Sequence, residues 1–180
     1  CLRRALVTRS MGIRIACISV IMEEERKDVN TIIEMPGHEL WMGNRTGLWK
    51  VNGEKLLRVA ADTIRSGVYS LCSDGKGTLY IGSESGLFIY NSKGVERILL
   101  DPNVLSGANF IMGMALDDRD ILWVTTRKGL YSVVLSGKSI LFHPCLMNGQ
   151  VYEDGYNNIY SLGSMLYLGT TGEKELLLLY

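Results

Sequence analysis

"LYIGSESGLFIY", residues 79–90, reads as two short apolar strands joined by a polar turn that ends in glycine. Close variants stand at "LWMGNRTGLWKV" (residues 40–51) and "LWVTTRKGLYSV" (residues 122–133). In each, a glycine follows the first leucine at the same distance: Gly47, Gly86 and Gly129. A leucine and an aromatic come next, as Leu48-Trp49, Leu87-Phe88 and Leu130-Tyr131. Ahead of each copy a β-branched residue, Val29, Val68 or Ile111, opens a further apolar run: "VNTIIEM", "VYSLCSD" and "IMGMALD". The copies step by 39 and then 43 residues. A lone hairpin has no use for copies, whereas a repeat architecture with a unit of about 40 residues does.

The second copy resolves into four strands, "VYSLCS", "TLYIGS", "GLFIY" and "VERILL", with turns at "DGKG" and "ESG". Glycine at such turns supplies a positive φ without a Cβ clash. The second strand is apolar at consecutive positions (Leu79-Tyr80-Ile81, Leu122-Trp123-Val124), so both of its faces are buried. Sheets packed face to face around a ring do this to their middle strands. The predicted fold is all-β, with β-propeller blades of four antiparallel strands, about four of them, forming a partial propeller. The blades fall near 29–67, 68–110 and 111–158. A partial fourth occupies 159–180, taken to open at Ile159, with "LYLGT" from Leu166. Residues 1–28 form an N-terminal segment, either a strand of a preceding blade or an irregular lead-in.

Composition narrows the function. Lys plus Arg number 19 and Asp plus Glu 19. A balanced chain gives no support for a nucleic-acid partner, although a local patch can hide in a neutral total. Cys1, Cys17, Cys72 and Cys145 show no C-x-x-C pair, which argues against zinc and reads as buried small side chains. Residues 15–22, "IACISVIM", are too short to span a bilayer, which takes about 20 residues. Arg3, Arg4, Arg9 and Arg14 precede that run as in a signal peptide, but "EEERKD" follows in place of a cleavage site, so it reads as a strand. A start at Cys1 fits a piece of a longer protein.

"DGKGTLYIGSESGLFIY" and "DDRDILWVTTRKGLYSV" resemble the two-component regulator propeller repeat: an aspartate turn, "LWIGT", a short turn, then "GL" with an aromatic. The resemblance spans residues 29–168. The first copy departs from it with "MPGHE" in place of the aspartate turn, the third with Thr125 in place of glycine, and the fourth by truncation. The resemblance implies part of the extracytoplasmic sensor of a Bacteroidetes hybrid histidine kinase. That places it in the periplasm, with the cytoplasm left open. It also implies a ligand-reading head for a small polar ligand such as an oligosaccharide. The further partners implied are the remaining blades of a seven-bladed ring, a downstream signalling region outside this chain, and a homodimer of the full sensor. On that reading the region is not an enzyme and needs no cofactor.

Candidate sites are few. His38 and His143 stand in no metal-ligand spacing, and no G-x-S-x-G is present, so neither a metal site nor a catalytic residue is assigned. "DGKG" lacks the rest of a phosphate loop and reads as a β-turn. Asn44-Arg45-Thr46 matches the N-glycosylation pattern but is set aside. Trp41, Tyr80, Trp123 and Tyr167 recur at one blade position, better explained by packing than by sugar stacking. The variable turn tips Arg45, Glu84 and Arg127 sit on the constant frame and are the candidate ligand-binding residues, with plain solvation as the alternative. Two rival functions remain: a propeller lyase or hydrolase acting on a glycan or cyclic peptide, and an interaction scaffold of the WD-repeat kind, whose Trp-Asp and Gly-His signatures are missing.

Overall fold

The computed structural model describes residues 7–10, 13–16, 28–53, 55–137, 139–144, 146–147, 150–151, 156–162, 165–170 and 177–179. A hairpin of β1 (Val7–Ser10) and β2 (Ile13–Ala16) comes first. Ile15 and Ala16 of the early apolar run lie in β2; the rest of that run falls outside the described residues. Three four-stranded antiparallel sheets follow. The first holds β3 (Val29–Met35), β4 (Glu39–Asn44), β5 (Gly47–Asn52) and β6 (Lys55–Val59). The second holds β7 (Val68–Ser73), β8 (Leu79–Ser83), β9 (Gly86–Asn91) and β10 (Gly94–Ile98). A single 3-10 turn at Gly107–Asn109 leads to the third, β11 (Ile111–Leu116), β12 (Ile121–Thr126), β13 (Gly129–Val134) and β14 (Ser139–His143). After a short ladder of β15 (Leu146–Met147) and β16 (Gln150–Val151) comes a fourth sheet: β17 (Tyr156–Leu162), β18 (Met165–Thr170) and β19 (Leu177–Leu179).

Strands pair in chain order within every sheet, and the first strands of successive sheets pack on one another: β3 on β7, β7 on β11, β11 on β17. That is a propeller arc, with first strands innermost. Alternate residues of β8 face different neighbours. Leu79 and Ile81 join Trp41, Leu48 and Val68 between the first and second blades. Tyr80 joins Ile111, Leu122 and Val124 between the second and third. The second and third blades therefore each pack into two cores, and their unbroken apolar runs are explained.

Registration repeats too. Val29, Val68, Ile111 and Tyr156 pair with Asn44, Ser83, Thr126 and Thr170, and a bulge follows each. The fourth blade thus opens at Tyr156, ahead of the expected Ile159. Tyrosine had hidden the equivalence by replacing a β-branched residue. The motif glycine has a packing role. A Cβ on Gly82 would lie 2.5 Å from Ile111 Cγ2, and one on Gly43 would collide with Val68. Val68 and Ile111 each sit on the glycine of the blade before. In the third blade the glycine has moved across the ladder: Thr125 is fully buried and pairs with Gly113, where a Cβ would meet Thr125 Oγ1 at 2.9 Å.

Candidate functional site

In a meander, the turns from second to third strand and the blade-to-blade segments share one end of the sheets. The first-to-second-strand turns lie at the other end. At the first end a polar side chain closes each tight turn. Thr46 N–H donates to Asn44 Oδ1 (2.8 Å), Ser85 N–H to Ser83 Oγ (3.0 Å) and Lys128 N–H to Thr126 Oγ1 (3.0 Å). The following glycines have φ of +133°, +129° and +128° at Gly47, Gly86 and Gly129. From the fourth strand, Arg58 Nη2 donates to Thr46 O (2.8 Å) and Arg97 Nε to Ser85 O (2.9 Å). Phe142 covers Gly129 in the third blade. Arg45, Glu84 and Arg127 are thus exposed tips on braced turns. Asn44 is 1% exposed, and its Oδ1 also accepts from Thr46 Oγ1 and Trp49 Nε1, so the glycosylation motif is built into a turn.

The blade-to-blade segments bring the tips together. Glu84 N–H donates to Gly67 O (3.1 Å) and Arg127 N–H to Phe110 O (3.3 Å). A Cβ on Gly67 would sit 3.1 Å from Tyr69 Cε2, 3.3 Å from Glu84 Oε1 and 3.4 Å from Arg45 Cα, so the two tips and the Tyr69 ring pack closely around that segment. Tyr69 donates its hydroxyl to Glu84 Oε1 (2.7 Å). The Tyr69 and Phe110 rings lie 5.1 Å apart at 42°, and the Arg127 guanidinium covers Phe110 at 3.7 Å. The result is one continuous row: Arg45, Tyr69 with Glu84, Phe110 with Arg127. Burial, then the Glu84 hydrogen bond and charge, raise the Tyr69 pKa, while Arg45 and Arg127 pull it down. Behind Phe110, fully buried Asn109 fixes the loop: Leu100 N–H and Asp101 N–H donate to its Oδ1, and its Nδ2 donates to Asp101 O and Asn103 O.

The sequence singled out the tips as candidates but not Tyr69 and Phe110, which the structure places beside them. Their signal was faint: each adjoins a buried β-branched position, Val68 or Ile111, at a blade opening. The aromatic ladder is packing. Trp41, Tyr80 and Trp123 each face the next blade, in three successive cores. Tyr167 lies 6.5 Å from Tyr160.

The other candidates stay apart. His38 lies in the first-blade turn at 2.6 Å from Glu34 Oε1. His143 lies on β14, its Nε2 2.7 Å from Ser132 Oγ and its ring against Trp123. Burial lowers the His143 pKa. Ser132 is itself buried, which withholds it from a substrate. In "DGKG", the N–H groups of Lys76 and Thr78 both donate to Asp74 Oδ1 (2.7 and 2.9 Å), closing a turn in place of cradling phosphate. Among the described residues no group of His, Cys, Asp and Glu could hold a metal ion, and no helix is long and apolar enough to cross a membrane. Cys72 packs half-buried against the second core; the other cysteines fall outside the described residues.

No family model and no curated protein sequence matches the chain. Solved structures do. The chain is similar to the extracellular domain of a hybrid two component system from B. thetaiotaomicron, at 21% identity and TM-score 0.67, over 87% of this chain and 21% of that one. A second such domain from that organism matches at 20% identity and TM-score 0.65, over 84% and 20%. A virginiamycin B lyase from Staphylococcus aureus matches at 15% identity and TM-score 0.59, over 84% and 52%. The chain spans about a fifth of the length of those sensor domains. The shared property is the propeller fold.

Proposed function

We propose that the chain is a ligand-reading part of an extracytoplasmic sensor propeller that binds without catalysis. On this reading its ligand is a small polar molecule of the oligosaccharide class, and the binding signal passes to a region outside this chain. The observation that carries the reading is the convergence of the variable tips with Tyr69 and Phe110 on one end of a rigid repeat frame. Variable residues braced by constant turns are where specificity resides. The likeness to sensor ectodomains supports the same direction. The lyase reading is weaker, since His38 and His143 lie on different blades and Ser132 is buried.

The test is calorimetric titration with a panel of host and plant oligosaccharides, followed by product analysis. Binding of intact ligand, weakened at least about 10-fold by Phe110→Ala in a folded variant, is the expected result. Cleaved product would transfer the case to the lyase or hydrolase.

A further inference from the structure

We propose that the ligand of this face is anionic: a carbohydrate carrying carboxylate or sulfate groups, gripped by the guanidinium groups of Arg45 and Arg127. This rests on the reading that the tip face is the ligand face.

The neutral total conceals a segregation of charge. Four ion pairs lie at the end with the first-to-second-strand turns: His38 with Glu34, Lys50 with Glu39, Lys76 with Asp120, and Arg119 with Asp117. Among the described residues, Arg45, Arg58, Arg65, Arg97, Arg127 and Lys128 stand at the tip end, against Asp28, Asp62, Glu84 and Asp101. None of the four pairs involves those cations. Arg58 and Arg97 donate to turn carbonyls, Arg65 to Asp62 O, and Arg127 rests on a ring. Of the acids, Glu84 is engaged by the Tyr69 hydroxyl, and Asp101 Oδ1 accepts from Asn103 N–H.

Guanidinium groups carried on braced turns suit an oxyanion, because the turn backbones are already held and the Arg127 side chain already rests on Phe110. Arg127 rests on the Phe110 ring at 3.7 Å, and a guanidinium held there keeps its planar fork of donors for a carboxylate or sulfate. The same stacking argues against nucleic acid. Arg127 occupies the Phe110 face that a base would need, and the Tyr69–Phe110 pair is tilted, leaving no flat slot.

The experiment titrates the 180-residue chain with trigalacturonate, a sulfated trisaccharide, maltotriose and an oligothymidylate. It uses wild type, Arg45→Ala, Arg127→Ala, Arg127→Lys, Phe110→Ala and Lys76→Ala, each checked by circular dichroism. One or both acidic sugars should bind at least about 10-fold tighter than maltotriose, more weakly as salt rises. Each arginine-to-alanine change should lose about 10-fold, with part restored by Arg127→Lys. The preferred sugar separates carboxylate from sulfate as the anionic group. Maltotriose binding as tightly, with sensitivity to Phe110→Ala and not to the arginines, would overturn the anionic ligand and leave the face intact. Acidic binding lost only in Lys76→Ala would overturn both. Failure of both acidic sugars to bind at millimolar concentration, or preference for the oligothymidylate, would overturn the proposal.

Discussion

At Gly86 a Cβ would come 2.9 Å from the Ile98 carbonyl oxygen, and the backbone stands at φ +129°. A positive φ is what the turn glycine was expected to supply, and +129° is an angle that L side chains rarely adopt. Gly86→Val is therefore expected to lose more than about 1 kcal/mol of stability, read from the denaturant midpoint; an unchanged midpoint would contradict this. Gly113 and Thr125 form a second test. One member of each such cross-strand pair is glycine: Gly43 opposite Thr31, Gly82 opposite Ser70, Gly113 opposite Thr125. Gly113→Ser should cost roughly 1–3 kcal/mol by overpacking. Adding Thr125→Gly should recover part of it, since the Asn158 and Ile159 backbone also lies close. A cycle with no coupling would refute the pairing. In the sequence, Thr125 looked like decay of the motif. Its compensation lies on another strand and is visible only once the register is known.

The first-to-second-strand turns show how far an element can be read from its sequence. Asp117 accepts from the N–H groups of Arg119 and Ile121 through Oδ1, and from Trp123 Nε1 and Arg119 through Oδ2. Burial alone would raise its pKa, but the hydrogen bonds outweigh that and lower it below the usual 3.8. A lowered carboxylate stabilises the fold above its unfolded value, and that contribution is lost as pH falls through the folded value. Asp117→Asn should thus cost stability at pH 7, about 2 kcal/mol. The gap between variant and wild type should close below pH 3.8, as followed by melting against pH; a gap constant with pH would exclude the carboxylate. The first blade has Met35 at this position, so buried Trp41 Nε1 lacks the carboxylate partner that Asp117 gives Trp123. The turn "MPGHE" was legible as a departure from the repeat, but its consequence for Trp41 needed the fold. Met35 is buried in the first core, so Met35→Asp should lower the melting temperature, because lost packing of roughly 2–5 kcal/mol exceeds one new hydrogen bond to Trp41; an unchanged melting temperature would mean that the new bond offsets the lost packing.

Across the whole molecule, the period, the blade order and the doubly buried middle strands were all legible, because they depend on patterns local to about 40 residues. The assembled face was not. It arises where segments from neighbouring blades meet, and no periodicity marks Tyr69, Phe110 or the charge separation. The arc also leaves apolar side chains exposed at both ends, Val29 and Ile32 on the first blade, Tyr160 and Leu162 on the fourth. Terminal repeats without a polar outer surface associate. The chain should therefore sediment as a concentration-dependent mixture at micromolar levels; a strict monomer with a sharp reversible melt would contradict this. The central claim is that one end of the arc reads a ligand. Hydrogen exchange with and without trigalacturonate tests it most directly. The account predicts slowed exchange confined to residues 44–47, 66–70, 83–86, 108–111 and 126–129. Protection at residues 35–39, 74–78 and 117–121 in their place, at the opposite end, would contradict it.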